Sequence, residues 1–547
     1  MTVPQAFSFI PLGGCQEIGM NLNVYAYKGK LLVVDCGVTF GDASTPGIDL
    51  IVADPGYLLD NRDKIVGLVC THGHEDHIGA IPYVWPELEC PIYATDFTAA
   101  LVRQKLLGVV QNPPIKKLPL SGTCTIGPFT IELITLTHSI PEPNAVLITT
   151  KAGSVLHTGD WKLDPDPRVG QTSDEARLRS LGQEGVLAMV CDSTNVFCEG
   201  STGSEADVAK NLIDVMKSCE KTVFVGCFAT NVARVQSIAE AALACDRAVA
   251  LVGKSMWRID KAARDTGYLK HIPPFLDSEQ ARLAPRHKLV YIATGSQGES
   301  RAALGKIARG EHPDVAVQKG DTVIFSSRVI PGNEKSIYAL QNQLSERGAK
   351  IITEKDAMIH VSGHPSRDDL KTLYDWVRPK SSIPVHGEPR HIREHAVFAK
   401  TCGVPHSLVA HNGAIIKLEG DHPTITSQID VTRMGVHGSR LMPLFGQRHK
   451  RLHQVLQDGY LAVCVPFHTK KQTISKTPVF FHVNLLDDDE FQEMEADFHG
   501  CLMEACLDLE EGAKKPHIIA MMKKALRQML REEIGRNPRI DVVLMEG

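Results

Sequence analysis

Between positions 1 and 203 the apolar residues come in short runs cut off by glycine and proline. They are Phe7 to Leu12, Asn23 to Tyr27, Leu31 to Cys36, Ile65 to Cys70, Phe129 to Leu136, Ala145 to Thr150, Ser154 to Thr158 and Val186 to Cys191. Runs of this length bounded by turn formers predict strands. Only Thr98 to Leu107 and the stretch after His77 carry helical spacing, so this part of the chain is expected to be sheet-dominated.

From Ser204 the rhythm changes. Helix-like Val208 to Ser218 precedes the short apolar run Val223 to Cys227, and helix-like Val232 to Ala244 precedes Ala248 to Val252. Strands at Leu289 to Ala293, Val323 to Ser326 and Ile351-Ile352 follow, with a helix over Lys335 to Glu346. That alternation predicts βα units around a mostly parallel sheet, read here as an inserted α/β domain at 204–356. Runs at Ile383 to Val385, Ser407 to Ala410 and Ala414 to Leu418 resemble the first part, so the chain is expected to return to its first domain, 1–203, over 357–445. The polar, basic stretch Gly446 to Gln454 reads as a linker, 446–459. Strands Tyr460 to Pro466, Val479 to Val483 and Ile540 to Leu544, with helices Asp488 to Leu509 and His517 to Glu533, predict a small α+β domain at 460–547.

Composition narrows the class without naming a ligand. The chain has 547 residues, 43% of them hydrophobic, with 59 Lys and Arg against 64 Asp and Glu, a net charge of −5. That excludes a disordered chain, a collagen-like fibre and a disulfide miniprotein, and allows about three or four domains. The balance carries no global sign of a polyanion partner, so any nucleic-acid surface must be local. No basic-then-apolar leader opens the chain and no run approaches about 18 apolar residues, which predicts a soluble, cytoplasmic protein with no membrane partner. The 14 cysteines include no Cys-x-x-Cys pair and several sit in strand-like runs, so they read as buried thiols rather than metal ligands.

The chemistry concentrates in Thr71-His72-Gly73-His74-Glu75-Asp76-His77, directly after the apolar run Ile65 to Cys70. A tight loop at a strand's end frees side chains from sheet alternation, so His72 and His74 can face one ion while Asp76 and His77 face another. His138, in Thr137-His138-Ser139, and Asp160, in Thr158-Gly159-Asp160, stand at the ends of later strand-like runs. Val252-Gly253-Lys254-Ser255 ends like a phosphate-binding P-loop, but position 248 is Ala where that loop needs Gly, which excludes the motif.

These segments, with Asp35 in Val34-Asp35-Cys36-Gly37, resemble the successive motifs of the metallo-β-lactamase superfamily. The resemblance implies an αββα sandwich in which Asp35 supports the site and the histidines and Asp160 hold two ions, Asp160 as the bridge. Cys191-Asp192-Ser193-Thr194-Asn195, Ile359-His360-Val361-Ser362-Gly363-His364 and Pro384-Val385-His386-Gly387-Glu388 resemble the motifs of the β-CASP nucleases. That likeness makes the insert a β-CASP domain, His386 the ligand completing the second ion's shell, His364 the catalytic group near the leaving oxygen and Asp192 its acidic neighbour. Asp76 is counted with His364 and Asp192 among the catalytic candidates.

Pro11 to Asn21, Phe228 to Arg234, Thr294 to Glu299 and the final Arg536 to Ile540 extend the likeness to the ribonuclease J family over essentially the whole chain. One departure is Pro141-Glu142-Pro143-Asn144 after His138, where that family more often has Pro-Asp-Ser; no candidate ligand is lost. The resemblance implies two-metal hydrolysis of phosphodiesters in single-stranded RNA, with zinc favoured and manganese or magnesium as alternatives. It also implies 5′-to-3′ exonuclease action on 5′-monophosphorylated ends together with internal cleavage, in RNA maturation and decay. Thr230, Asn231, His360, Ser362, Gly363 and His364 are the candidates for binding RNA and its 5′-phosphate; helix capping and loop hydrogen bonding are the other reading of Thr230, Asn231, His360 and Ser362. Arg448, His449, Lys450 and Arg451, with Lys523, Lys524, Arg527 and Arg531, offer an RNA track, although the last four also suit the solvated face of an amphipathic helix. Homodimer or homotetramer assembly and contacts with other RNA-decay proteins are implied by the family. Three rivals stay open: a small-molecule hydrolase of the superfamily, a catalytically silent β-CASP RNA-binding or assembly subunit, and a β-CASP nuclease acting on DNA.

Overall fold

The computed structural model describes residues 2–42, 44–330 and 332–546. Contacts divide the chain into two units, Met1–Phe40 with Leu50–Arg440, and Gly41–Asp49 with Leu441–Gly547.

The first unit contains two large sheets. One has eight strands in the order Thr424–Gln428, Ala414–Lys417, Ser8–Gly13, Leu22–Tyr27, Lys30–Val34, Ile65–Val69, Ile92–Ala94 and Ile115–Lys117. The other has seven: His406–Ser407, Ser381–Val385, Ala188–Asp192, Gly153–His157, Asn144–Thr150, Phe129–Thr135 and Thr123–Ile126. Phe9, Tyr25, Val34 and Val69 from the first mesh with Ile131, Val146, Val155, Val190 and Ile383 from the second in one buried core. Helices Glu175–Glu184 and Arg367–Val377 cover the far side of the second sheet through Leu178, Leu181, Leu370 and Leu373. Helix Asp96–Leu106 packs on the edge strands of the first. This is the αββα sandwich. Its strands are buried on both faces, which is why they read as short continuous apolar runs.

The insert holds five strands in the order Ala248–Val252, Leu289–Ala293, Val223–Gly226, Thr322–Phe325 and Lys350–Ile352, each parallel to its neighbours. Parallel neighbours require crossovers, supplied by helices including Val232–Ala244, Lys254–Asp265, Ala303–Arg309 and Glu334–Glu346. The chain then re-enters the sandwich, where Ser381–Val385 pairs in parallel with Ala188–Asp192 and Ala414–Lys417 pairs antiparallel to Ser8–Gly13.

In the second unit, Tyr460–His468, Val479–Val483 and Arg539–Glu546 form a sheet packed on helices Asp488–Leu507 and Lys515–Glu533 around Leu461, Val463, Phe498 and Leu526. Lys523 pairs with Asp541 at 3.0 Å, and Ile518, Met522 and Leu526 are buried, so this basic helix has the amphipathic pattern expected of a solvated face. The stretch expected as a linker is instead a helix, Gln447–Asp458. Leu452, Val455 and Leu456 give it i, i+3, i+4 spacing, and Gly446 and Gly459 bound it. Its many charges masked that signal. Among the described residues no helix is long and apolar enough to cross a membrane.

Two buried histidines outside the metal-ligating cluster make the fold acid-sensitive. His157 Nδ1 meets Tyr25 Oη at 3.0 Å across the two sheets, and His395 lies between Ser193 Oγ at 2.9 Å and Tyr374 Oη at 2.8 Å. Burial pushes both rings down to about 4. The unfolded chain takes up these protons as pH falls through about 6.5 and the folded chain does not until about 4, so stability is lost across that window, by about 3 kcal/mol for each ring. The urea midpoint of unfolding is expected to fall from pH 7 to pH 4, less steeply in His395→Asn; an equal slope in that variant would contradict the assignment.

Candidate metal centre

The sheet directions bring the candidate ligands to one place. Phe129–Thr135, Gly153–His157, Ala188–Asp192 and Ser381–Val385 run the same way, because the single strand between the first two, Asn144–Thr150, is antiparallel to both. Their carboxyl ends therefore share one sheet edge, where His138, Asp160, Asp192 and His386 stand. In the other sheet Lys30–Val34 and Ile65–Val69 are parallel, which sets Asp35 beside the Thr71–His77 loop.

Asp35 is fully buried with φ +63°. Its carboxylate accepts from Thr71 N at 2.8 Å and Thr71 Oγ1 at 2.9 Å, and meets His77 Nδ1 at 2.7 Å, leaving His77 Nε2 to face the cluster. His386 also has positive φ, +51°, and its backbone N donates to Gly14 O at 2.6 Å. Two non-glycine residues in this sparsely allowed region, both at the cluster, mark backbone conformations that the surrounding hydrogen bonds impose.

The side chains form three overlapping groups, within each of which the ligand atoms lie within 4.8 Å of one another: His72, His74, His138 and Asp160; Asp76, His77, Asp160 and His386; and Asp160, Asp192, His364 and His386. Asp160 belongs to all three. Its Oδ2 is 3.1 Å from His77 Nε2 and 4.0 Å from both His72 Nε2 and His138 Nε2, while Oδ1 is 3.7 Å from His386 Nδ1. His74 Nδ1 lies 3.1 Å from His72 Nε2 and 3.0 Å from His138 Nε2. Asp76 Oδ2 is 3.1 Å from His386 Nε2. All seven expected ligands converge, although they span more than three hundred positions of the chain.

Charge divides the rings of the cluster into two sets. Burial drives His72 and His138 well below the histidine range and His74 down to about 4, so these rings are neutral and keep lone pairs for an ion. Burial also opposes charge on His77 and His386, but Asp160, Asp76 and their neighbouring carboxylates outweigh it and hold both well above that range. Imidazoles packed around carboxylates in a closed site are the donors that zinc and similar divalent ions take, so the residues fit a metal.

Beside the cluster, His364 Nδ1 meets Asp192 Oδ2 at 2.8 Å, which orients the ring. Gly363 O meets His138 Nδ1 at 2.5 Å, and a methyl on Gly363 would come within 2.7 Å of that ring, so this position needs glycine for close approach. Residues beyond the predicted set also contribute. Thr194 Oγ1 donates to Asp192 Oδ1 at 2.7 Å and meets His386 Nδ1 at 2.8 Å. Asn21 Nδ2 lies 3.1 Å from His77 Nε2. Asn195 Nδ2 donates to Ser362 Oγ at 2.7 Å and to His364 O at 3.0 Å. Each sits inside or beside a motif already singled out, which was the available signal.

The candidate RNA-binding residues divide. Ser362, Gly363 and His364 lie at the cluster, whereas Asn231 caps helix Val232–Ala244, its Oδ1 accepting from Arg234 N at 2.9 Å. Thr230 immediately precedes that cap. Fully buried Arg234 ties the helix to the second β-CASP-like motif, donating through Nη1 to Ile359 O at 3.0 Å beside His360 Nδ1 at 3.3 Å.

The chain is similar to known proteins along its whole length. Residues 21–179 match the model of the metallo-beta-lactamase superfamily, 220–344 that of the ribonuclease J beta-CASP domain, and 348–406 that of the Zn-dependent metallo-hydrolase RNA specificity domain. Ribonuclease J of Sinorhizobium meliloti is 38% identical over 100% of this chain and 98% of its own. The chain belongs to the ribonuclease J family. Ribonuclease J of Mycolicibacterium smegmatis is 40% identical over 85% of this chain and 84% of its own, and that of Thermus thermophilus 38% over 75% and 73%. A solved structure of a protein of unknown function from Enterococcus faecalis shares the fold, with TM-score 0.54 at 15% identity over 75% of this chain and 99% of that one. As a ribonuclease J family member the chain is a metal-dependent ribonuclease. The superfamily match covers His72 to Asp160 and the RNA specificity match covers His364 and His386, so the candidate centre draws on both.

Proposed function

We propose that this chain degrades single-stranded RNA in the 5′-to-3′ direction from 5′-monophosphorylated ends and also cuts internally, in RNA maturation and decay. The observation that carries this reading is the sharing of Asp160 between two His/Asp groups with the His364–Asp192 pair alongside. His72, His74, His138 and Asp160 would hold one divalent ion and Asp76, His77, Asp160 and His386 a second, with zinc best suited to the donors and manganese or magnesium as alternatives. Such ions, when bound, polarise a phosphoryl group and make water a usable nucleophile at neutral pH.

The chain's own groups supply the rest. Asp192 fixes the His364 ring through Nδ1, which leaves Nε2 to donate a proton to the departing 3′-oxygen, so that the upstream nucleotide leaves with a 3′-hydroxyl and the downstream strand carries the new 5′-phosphate. Asp35 holds His77, and Thr194 holds Asp192 and His386, which limits reorganisation during the reaction. His360, Ser362 and Gly363, with Thr230 and Asn231 at a helix start, would receive the 5′-phosphate.

The test uses RNA carrying a 5′-monophosphate, 5′-triphosphate or 5′-hydroxyl, and matched DNA, in zinc, manganese or magnesium. Mononucleotide release from the monophosphorylated RNA, with slower internal cuts in the others, is expected. No cleavage of any substrate would overturn the reading, and equal cleavage of DNA would favour the DNA nuclease. The same proposal includes a homodimer or homotetramer built on the second unit, where Val479, Phe481, Val483, Val543 and Met545 are exposed on one face of the sheet. Light scattering that returns the mass of a single chain would remove that part.

A further inference from the structure

The loop Ser326-Ser327-Arg328 leaves the carboxyl end of the parallel strand Thr322–Phe325. In open parallel sheets this end is where ligands bind. Two neighbouring strands of the same sheet lead from that end into Thr230-Asn231 and into Thr294 to Glu299.

The loop is held in place. Gln297 is buried, and its Nε2 donates to Arg328 O at 2.8 Å while its Oε1 accepts from Ile330 N at 3.0 Å. Arg328 itself is exposed. Its Nη1 donates to Asn195 Oδ1 at 3.3 Å, and both terminal nitrogens lie 3.8 Å from Cys198 Sγ. Asn195 in turn donates to Ser362 Oγ and His364 O. The guanidinium is thus one side chain away from the backbone that carries the candidate leaving-group histidine.

Arg234 pairs with Glu205, Arg367 with Glu199 and Glu394, and Arg177 with Glu132 and Glu184. Among the described residues no carboxylate lies within ion-pair distance of Arg328, whose contacts are one amide oxygen and one thiol. A guanidinium has five donors in a planar fork matched to phosphate, and most of these donors remain free.

We infer that Arg328, positioned by Gln297 and Asn195, binds a phosphate of the RNA strand next to the metal centre. The inference rests on the RNA-cleaving function proposed above. The shared chemistry is a phosphate group, either the 5′-terminal one or an internal one.

The test compares metal-loaded wild-type, Arg328→Gln and Arg328→Lys proteins. It uses fluorescence anisotropy of a labelled phosphorothioate RNA across a salt series, together with steady-state cleavage. Arg328→Gln is expected to weaken RNA binding and raise KM about tenfold with kcat changed less than about twofold, and to make the salt slope shallower by about 0.7, the value of one single-strand phosphate contact. Arg328→Lys should regain most of the slope. Loss confined to 5′-monophosphorylated RNA assigns the terminal phosphate; equal loss with 5′-hydroxyl RNA assigns an internal one. Unchanged affinity and slope in Arg328→Gln would overturn the inference, and so would reduced thermal stability with the slope intact, since that marks a structural bridge to Asn195. Failure of the wild-type protein to cleave RNA would count against the proposed function, and the anisotropy comparison would still judge Arg328.

Discussion

Asp160→Ala protein is expected to cleave RNA at least about a thousandfold more slowly than wild type and to retain less bound metal. Asp160 is the one side chain common to all three ligand groups, its two oxygens reaching His77, His72 and His138 on one side and His386 on the other. Without it, the groups lose the carboxylate they share to offset the charge of a bound cation. Single-turnover cleavage and elemental analysis of the purified protein provide the check, with thermal unfolding to establish that the variant is folded. A folded variant with wild-type rate and full metal content would refute the central role of Asp160. Asp35→Ala should have a milder effect through misplacement of His77, about 10- to 100-fold in metal affinity.

The second large effect is on stability. Arg234 is completely buried, pairs bidentately with Glu205 at 2.9 and 3.1 Å, and donates through Nη1 to Ser326 O, Ser326 Oγ and Ile359 O. Arg234→Met removes the donors and leaves the Glu205 carboxylate buried without its partner, so unfolding should cost about 3 to 5 kcal/mol less than in wild type. Replacing both members, Arg234→Met with Glu205→Leu, is expected to recover part of this loss, because an apolar pair avoids the desolvation penalty. Urea titrations of the three proteins test the pattern. A single variant within about 1 kcal/mol of wild type would show that water reaches the pair or that it is redundant. The same residue holds Ile359 and His360 in place, so RNA cleavage should suffer before the fold is lost.

Much of the fold was legible from local pattern. Strands Ala248–Val252 and Leu289–Ala293 and helix Val232–Ala244 fall where apolar runs and helical spacing put them, because burial on both faces or on one helical face imposes that pattern directly on the sequence. Within the stretch expected as a linker, helix Gln447–Asp458 left a weak signal because it buries no residue fully, and its polar, basic composition matches that of a solvated connection. The loop His72 to His77 announced metal chemistry because its ligands are neighbours in the chain as well as in space.

The wider site was legible only in part. His138, Asp160 and His386 were recognisable as strand-end residues in a familiar order, but spacing alone contains no distance between Asp76 and His386, 310 positions apart and 3.1 Å across. Positive φ at Asp35 and His386, the Thr194 and Asn195 bridges and the contact of Arg328 with Asn195 left no periodic trace, since each depends on a hydrogen bond closed by a distant segment. The sequence by itself determined which elements form and which side chains can bind a metal, because both follow from burial and from donor chemistry. Only the tertiary structure decided which of them share Asp160 and that Arg328 reaches Asn195, because strand direction and sheet order bring the ends of strands from separate sheets together.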